Sequence, residues 1–218
     1  EPGRLTTPFG PREGLVRVLE RAHRLGFIGD PPLAAHLDHA QGYAAAWDTE
    51  GGVPAGPGMA ADLGSGGGLP ALPLVLHWPA SRWVLIEAGD RRAAFLESAV
   101  RDLDLGDRVV VRHERAEDAG RDPDLRAGCD LVTARSFGGP PVTAECAAPL
   151  LRVGGLLLVS EPPVAEPDRW PTAGLAELGF RRGASIDGPP ALQVLHLESA
   201  CPPRYPRRVG VPGKRPLW

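Results

Sequence analysis

Cysteine and lysine are scarce in this sequence. The three cysteines, Cys129, Cys146 and Cys201, are odd in number and far apart. They suggest neither a disulfide framework nor a metal pattern, and reduced thiols in a cytoplasmic protein are the default expectation. Lysine occurs once, at Lys214, among many arginines, a bias that reads as base composition, so Lys-to-Arg exchanges carry little weight. The six histidines lack ligand spacing; His36 and His39 share a helix face without an acid or cysteine partner, and no metal is expected. No apolar run approaches the roughly 20 residues of a membrane span, and no signal-peptide pattern is present, so no membrane partner is expected. Internal repeats are missing, and a second domain is not indicated. A dinucleotide-binding G-x-G-x-x-G is missing too, because counting from Gly64 and Gly66 its third glycine would fall on Leu69.

What is present suits one α/β domain. A chain of 218 residues with 43% hydrophobic content can bury a core. The net charge of −3 argues against a nonspecific nucleic-acid binder. Charge is unevenly placed, however. From Pro202 to Trp218 there is no acid, and Arg204, Arg207, Arg208, Lys214 and Arg215 are basic. Such a tail supplies phosphate contacts or lies on the domain as a proline-stiffened strap; composition alone favours the strap.

Periodicity predicts helices over 13–25 and 33–47, with Leu15, Leu19, Ala22 and Leu25 on one face of the first. Short apolar strands are expected at 59–63, 83–87, 109–113, 130–134 and 155–160, and helices at 70–77, 90–103, 142–151 and 171–178. This alternation argues for a doubly wound, mostly parallel sheet. Residues 192–197 make a last strand, antiparallel at or near the edge. The chain then divides into a helical extension and substrate cap (1–58, with 1–12 irregular), a core (59–200) and a basic tail (201–218).

The run from Met59 to Gly68 carries the chemistry. An apolar strand ends in an acid, a glycine turn follows, and a helix begins after Leu69. Glycines let the backbone approach a ligand, and the new helix offers free N–H groups. The spacing Asp62, Gly64, Gly66, Gly68 is acid-x-G-x-G-x-G, which resembles motif I of class I S-adenosylmethionine (SAM) methyltransferases. The next strand ends in Glu87, nineteen residues after Gly68, close to the interval expected of a carboxylate that accepts from ribose hydroxyls. In a doubly wound sheet ligands sit beyond the carboxyl ends of the strands. Asp62, Gly64, Ser65, Gly66, Gly68 and Leu69 are therefore candidates for the methionine part of SAM, and Glu87 with Ala88 for the ribose. Ala116 and Glu117 follow the third strand, where adenine would stack; Glu117 caps its amino group or is a solvated acid. Arg135 ends the fourth strand facing the methyl donor, a candidate for both catalysis and cofactor contact. Buried arginine needs a carboxylate or phosphate partner, either substrate or a structural one such as Asp62 or Glu87.

These residues carry a family resemblance. Asp62-Leu63-Gly64-Ser65-Gly66-Gly67-Gly68-Leu69-Pro70 with Leu72-Pro73-Leu74 resembles the D-x-G-[ST]-G-x-G-[FL]-P-x-x-P-L segment of the bacterial small-subunit rRNA guanine-N7 methyltransferases, once called glucose-inhibited division protein B. Arg91-Arg92 with Phe95-Leu96 resembles the family's K-R-x-x-F-L helix, Arg115-Ala116-Glu117 its R-[VA]-E turn, and Thr133 to Phe137 its S-R-A-[FV] strand end. Arg204 to Leu217 is similar to its closing R-Y-P-R-x-x-G-x-P-x-K-x-P-L. The resemblance covers roughly residues 33–218. It implies a class I SAM-methyltransferase fold, SAM as cofactor and methyl transfer to N7 of one guanine in 16S rRNA, with rRNA or the 30S subunit as partner. It also implies Arg91, Arg115 and Arg135 as contacts to RNA phosphates or the target base, and it shifts Arg204, Arg207, Arg208 and Lys214 from strap towards substrate. The family's W-N-x-x-x-N-L-T signature has no counterpart here, and Glu161 follows the fifth strand where a lysine-glycine pair is usual. Two alternatives stay open: a small-molecule or protein methyltransferase on the same scaffold, and a SAM-binding module without catalysis.

Overall fold

A computed structural model describes residues 13–30, 32–162, 168–188 and 190–218; the irregular segment expected over 1–12 lies outside them. Helix α1 (Glu13–Arg24) buries Leu15, Val18, Leu19 and Ala22, an i, i+3, i+4, i+7 stripe. Leu25 falls beyond the helix end and is exposed. Helix α2 (Leu33–Thr49) buries His36, Leu37, Ala40, Tyr43, Ala44, Ala46 and Trp47. The alternation follows as β1 (Met59–Leu63), α3 (Ala71–His77), β2 (Arg82–Ile86), α4 (Asp90–Asp102), β3 (Val109–Arg112), α5 (Ala116–Ala119), β4 (Cys129–Ala134) and α6 (Pro140–Ala147). Then come β5 (Leu151–Ser160), α7 (Thr172–Leu178), β6 (Phe180–Ile186), β7 (Leu192–Leu197) and α8 (Val211–Lys214).

The strands form one sheet in the order β3-β2-β1-β4-β5-β7-β6. The first five pair in parallel, while β7 runs antiparallel to both β5 and β6. Strand order reverses between β1 and β4, which opens a crevice at their carboxyl ends. Successive side chains of a strand face opposite layers. Ala60, Trp83, Leu85 and Leu131 pack towards α1 to α4. Ala61, Leu63, Val84, Ile86, Val132 and Ala134 pack towards α6, α7 and Tyr205 of the tail. Burial on both faces is what the apolar, parallel strand sequences require.

Two differences from the sequence reading have local causes. Helix α6 ends at Ala147 and β5 begins at Leu151, because Arg152, Val153 and Gly154 form an exposed start to the strand, with an irregular register opposite Cys129 and Leu131. Strand β6 was not expected, since Phe-Arg-Arg-Gly-Ala-Ser-Ile lacks an apolar face. It is an edge strand whose neighbouring Arg181 and Arg182 are both exposed. Strand β7 lies one place in from the edge, antiparallel and near it as expected. Among the described residues no helix is long and apolar enough to cross a membrane.

Candidate active site

The glycine turn after β1 is held by short-range bonds. The amides of Gly64 and Ser65 donate to the Ile86 carbonyl at 2.9 and 3.1 Å, and the Gly68 amide donates to the Ser65 carbonyl at 2.7 Å. The glycines of the turn serve different ends. At Gly68, with φ +89°, a Cβ would stand 2.4 Å from Leu72 Cδ1, so this glycine lets α3 pack. At Gly66, with φ +53°, the nearest atom to a Cβ is the Gly64 carbonyl oxygen at 3.5 Å. That space belongs to a cleft of about 360 Å³ lined by Gly26 to Gly29, Gly64 to Gly67, Leu69, Arg92, Arg135 and Ser136. The loop before α2 thus forms one wall and the glycine turn the other.

Glu87 lies directly after β2, and its side chain is 6% exposed. Oε2 accepts the Gly66 amide at 2.9 Å and Oε1 the Gly89 amide at 2.8 Å. The carboxylate therefore fastens the glycine turn to the start of α4. Each oxygen keeps lone-pair capacity for a further donor such as a sugar hydroxyl. Glu87, Ala88, Arg92 and Gly64 border a second part of the crevice, with Arg115, Ala116, Glu117, Phe137, Val142 and Gly210. Glu117 Oε1 accepts the Gly210 amide at 2.9 Å, so the tail helps to wall this part. Arg91 and Arg115 are exposed beside Glu87 and Phe27, the Arg91 guanidinium lying 5.8 Å from the Phe27 ring centre. Gly68 and Asp62 line neither part; they stand behind the turn.

Asp62 is 1% exposed. Oδ1 accepts from the Thr133 hydroxyl at 2.6 Å, and Oδ2 has no partner among the described residues. Burial pushes its pKa up to about 7, against the hydrogen bond from Thr133 and the nearby charge of Arg135. Arg135, half-buried, does not pair with Glu87. Its Nη2 meets His36 Nδ1 at 3.0 Å, while Nη1 is buried with no partner among the described residues. Burial lowers the Arg135 pKa, and attraction to Tyr43 and Asp62 opposes that. Sequence reasoning did not foresee His36, Tyr43 and Thr133 in this cluster; polar residues at helical spacing (His36, His39, Tyr43) on an otherwise buried face were the available signal.

The tail follows the strap reading over much of its length. Arg207, expected to meet substrate, is tied to Glu145 instead: its amide and Nε each donate to Oε1 at 2.8 Å and Nη2 to Oε2 at 2.6 Å. Arg204 leans on the Tyr205 ring and pairs with Glu177 at 3.4 Å. Arg208 and Lys214 stand exposed. Asp62→Asn keeps an acceptor for Thr133 and removes a buried charge. It is expected to raise the melting temperature of the free protein above pH 7, where the raised pKa makes the carboxylate most costly, with little effect near pH 4. A melting curve that drops at pH 8 would contradict the burial penalty assigned to this group.

The arrangement suits an adenosyl cofactor: a backbone cradle, a carboxylate between turn and helix, and an unused cationic donor at one end. Comparison with known proteins agrees. The family described as rRNA small subunit methyltransferase G (GidB) matches residues 53–162. Ribosomal RNA small subunit methyltransferase G of Parasynechococcus marenigrum is 38% identical over 167 residues, 73% of this chain and 67% of that protein. The Desulfitobacterium hafniense protein of the same name is 36% identical over 166 residues, 72% of this chain and 69% of its own length. Among solved structures, cofactor-bound Rv0187 from MTB superimposes with TM-score 0.63 at 18% identity, covering 87% of this chain and 92% of that one. The SAM complex of O-methyltransferase TomG from Streptomyces achromogenes gives 0.59 at 18% identity, covering 86% and 90%. These likenesses show the class I methyltransferase fold. Matched by the family over half of its residues and by curated members over nearly three quarters, the chain belongs to the rRNA small subunit methyltransferase G family and is a SAM-dependent methyltransferase.

Proposed function

We propose that this enzyme methylates N7 of a guanine in small-subunit rRNA, acting in the cytoplasm. The observation that carries the reading is Arg135 in the lining of the glycine-turn cleft, with a buried Nη1 that has no partner among the described residues. A buried donor without an acceptor costs about 1–3 kcal/mol, so such a site favours a ligand that supplies one. Guanine presents O6 beside N7. A bond from Arg135 to O6 would orient the base and leave the N7 lone pair free.

The cofactor would lie with its methionine part against Gly64 to Gly67, its ribose hydroxyls at Glu87 and its adenine between Ala88, Ala116 and Phe137, within reach of Glu117. SAM supplies an electrophilic methyl on a sulfonium. N7 has no proton to lose, so the protein needs no general base; its task is to align the base with that methyl, which alone accounts for several kcal/mol of barrier lowering. Arg91, Arg115, Arg208 and Lys214 are the exposed cations for RNA phosphates. The target base must be presented single-stranded or flipped out. Glu161 does not speak for a different acceptor: Arg169 Nε and Trp170 Nε1 bind it at 2.8 and 3.1 Å, so its charge is compensated.

Labelled SAM and unmodified 30S subunits test the reading. Label should enter one guanine, located by the strand scission that N7-methylation permits. Label confined to protein or metabolite fractions would redirect the acceptor assignment. Arg135→Ala is expected to lower turnover about 100-fold, the usual loss of one positioned donor, with SAM affinity nearly kept. Equal loss of both would assign Arg135 to the cofactor. Arg115→Ala should reduce the salt dependence of subunit binding by about one phosphate, a change near 0.9 in the log–log slope; an unchanged slope would remove Arg115 from the RNA interface.

A further inference from the structure

His36 lies on α2, below the loop that forms one wall of the cleft and beside the end of β4. Its Nδ1 is 3.0 Å from Arg135 Nη2 and its Nε2 is 3.1 Å from the Gly29 carbonyl oxygen. A guanidinium only donates, and a carbonyl oxygen only accepts. The two contacts therefore select one proton arrangement: Nδ1 bare, accepting from Arg135, and Nε2 protonated, donating to Gly29. The imidazole is neutral, and the residue is only 2% exposed.

We propose that His36 is a positioning residue of the methyl-transfer site, a neutral imidazole that clamps Arg135 Nη2 to the Gly29 carbonyl and holds the arginine in the cleft lining for the acceptor base. The inference rests on the reading of this cleft as the place of methyl transfer. Two observations support a need for such a clamp. Arg135 and Asp62 attract each other electrostatically, and Asp62 Oδ2 is buried without a partner among the described residues. An arginine with four rotatable bonds would relieve both unused groups by turning onto Asp62, and its charge would then be lost to the acceptor. The hold from His36 opposes that collapse. In addition, Gly29 and Arg135 both line the cleft, so one ring links the loop before α2 to the residue that follows β4.

The clamp depends on pH with a definite sign. Several groups bear on the ring. They are Arg135 just after β4, His39 on α2 itself, and His23 with Glu20, Arg24 and Asp30 from α1 and the loop after it; His23 lies 4.0 Å from Asp30. Burial lowers the His36 pKa below its ordinary 6.5, while the bond to Gly29 acts the other way and the Arg135 charge lowers it further. Protonation would place an N–H of His36 against the guanidinium. The clamp is complete above the ordinary histidine range and is lost as pH falls through the lowered value.

Two measurements decide the matter. Long-range proton–nitrogen spectra of the histidine side chains in the free protein should show His36 as the Nε2–H tautomer, with a titration midpoint that rises in Arg135→Gln. An Nδ1–H tautomer, or a midpoint indifferent to Arg135, overturns the clamp. Methylation of 30S subunits should then show an acid limb in the wild type. His36→Ala should lower turnover on the order of 10–100-fold at pH 8, as misplacement near reacting atoms does. His36→Asn, whose Oδ1 replaces Nδ1 as acceptor but cannot titrate, should recover most of that loss and abolish the limb. A limb that persists in His36→Asn, or full turnover in His36→Ala, overturns the positioning role. A wild type that labels no RNA speaks against the assignment of the acceptor, and the spectra then decide alone whether the clamp exists.

Discussion

Arg207→Ala is expected to lower the melting temperature by roughly 6–20 °C, the largest stability loss predicted for any single change in the tail. Glu145 on α6 has a side chain only 1% exposed, and its carboxylate takes two bonds from the Arg207 guanidinium, besides one from the Arg207 amide that alanine would keep. Removing one partner of a buried ion pair costs about 3–5 kcal/mol, because the remaining charge is stranded. For a chain of this size each kcal/mol moves the midpoint by about 2–4 °C. The loss should spread along the tail. Arg126 Nη1 reaches the Tyr205 carbonyl at 2.8 Å, the Tyr205 hydroxyl bonds Glu177, and the Gly210 amide bonds Glu117 beside the cleft. Arg207→Lys should rescue only in part, since an ammonium cannot make the paired planar contact. Adding Glu145→Gln to Arg207→Ala should restore much of the loss by removing the stranded charge. Thermal unfolding checks all three variants; an unshifted melting point for Arg207→Ala would return this arginine to the RNA-binding set.

The second large effect concerns the cofactor. Gly66→Ala should leave a folded protein that binds SAM about 5–150-fold more weakly, while Gly68→Ala should chiefly lower stability. At Gly66 the strain is that of one left-handed residue, about 1–2 kcal/mol, because a Cβ meets no atom nearer than 3.5 Å. That methyl occupies the cleft floor, and overpacking of a fitted site costs about 1–3 kcal/mol. At Gly68 the added carbon meets Leu72 Cδ1 at 2.4 Å, and Leu72 is wholly buried. Calorimetry with SAM beside melting curves separates the two. Undiminished affinity in Gly66→Ala would mean that no cofactor lies against this turn.

The parts of this structure legible in the sequence are those encoded in short contiguous runs. The glycine turn and Glu87 belong to one strand-turn-helix-strand unit, so spacing alone brought them together, and the buried parallel strands announced themselves by apolar residues. Strand β6 did not, because an edge strand with Arg181 and Arg182 exposed has no apolar pattern to show. Pairing across long separations was hidden for a different reason. Arg207 and Glu145 are 62 residues apart, and Arg135 and His36 are 99. A run of tail arginines looks alike whether each meets phosphate or a buried acid; burial of the partner, a property of the folded chain alone, separates Arg207 from Arg208. The loop Gly26 to Gly29 as a wall of the cleft was equally out of reach, since nothing in its composition marks it.

The most direct measurement is a crystal structure of the protein with S-adenosylhomocysteine. The amino-acid part should lie along Gly64 to Gly67, the ribose hydroxyls within hydrogen-bond distance of Glu87, and the adenine beside Ala88 and Phe137, with Arg135 still held by His36. A ligand seated elsewhere, or a Glu87 that makes no contact with the sugar, would contradict the site.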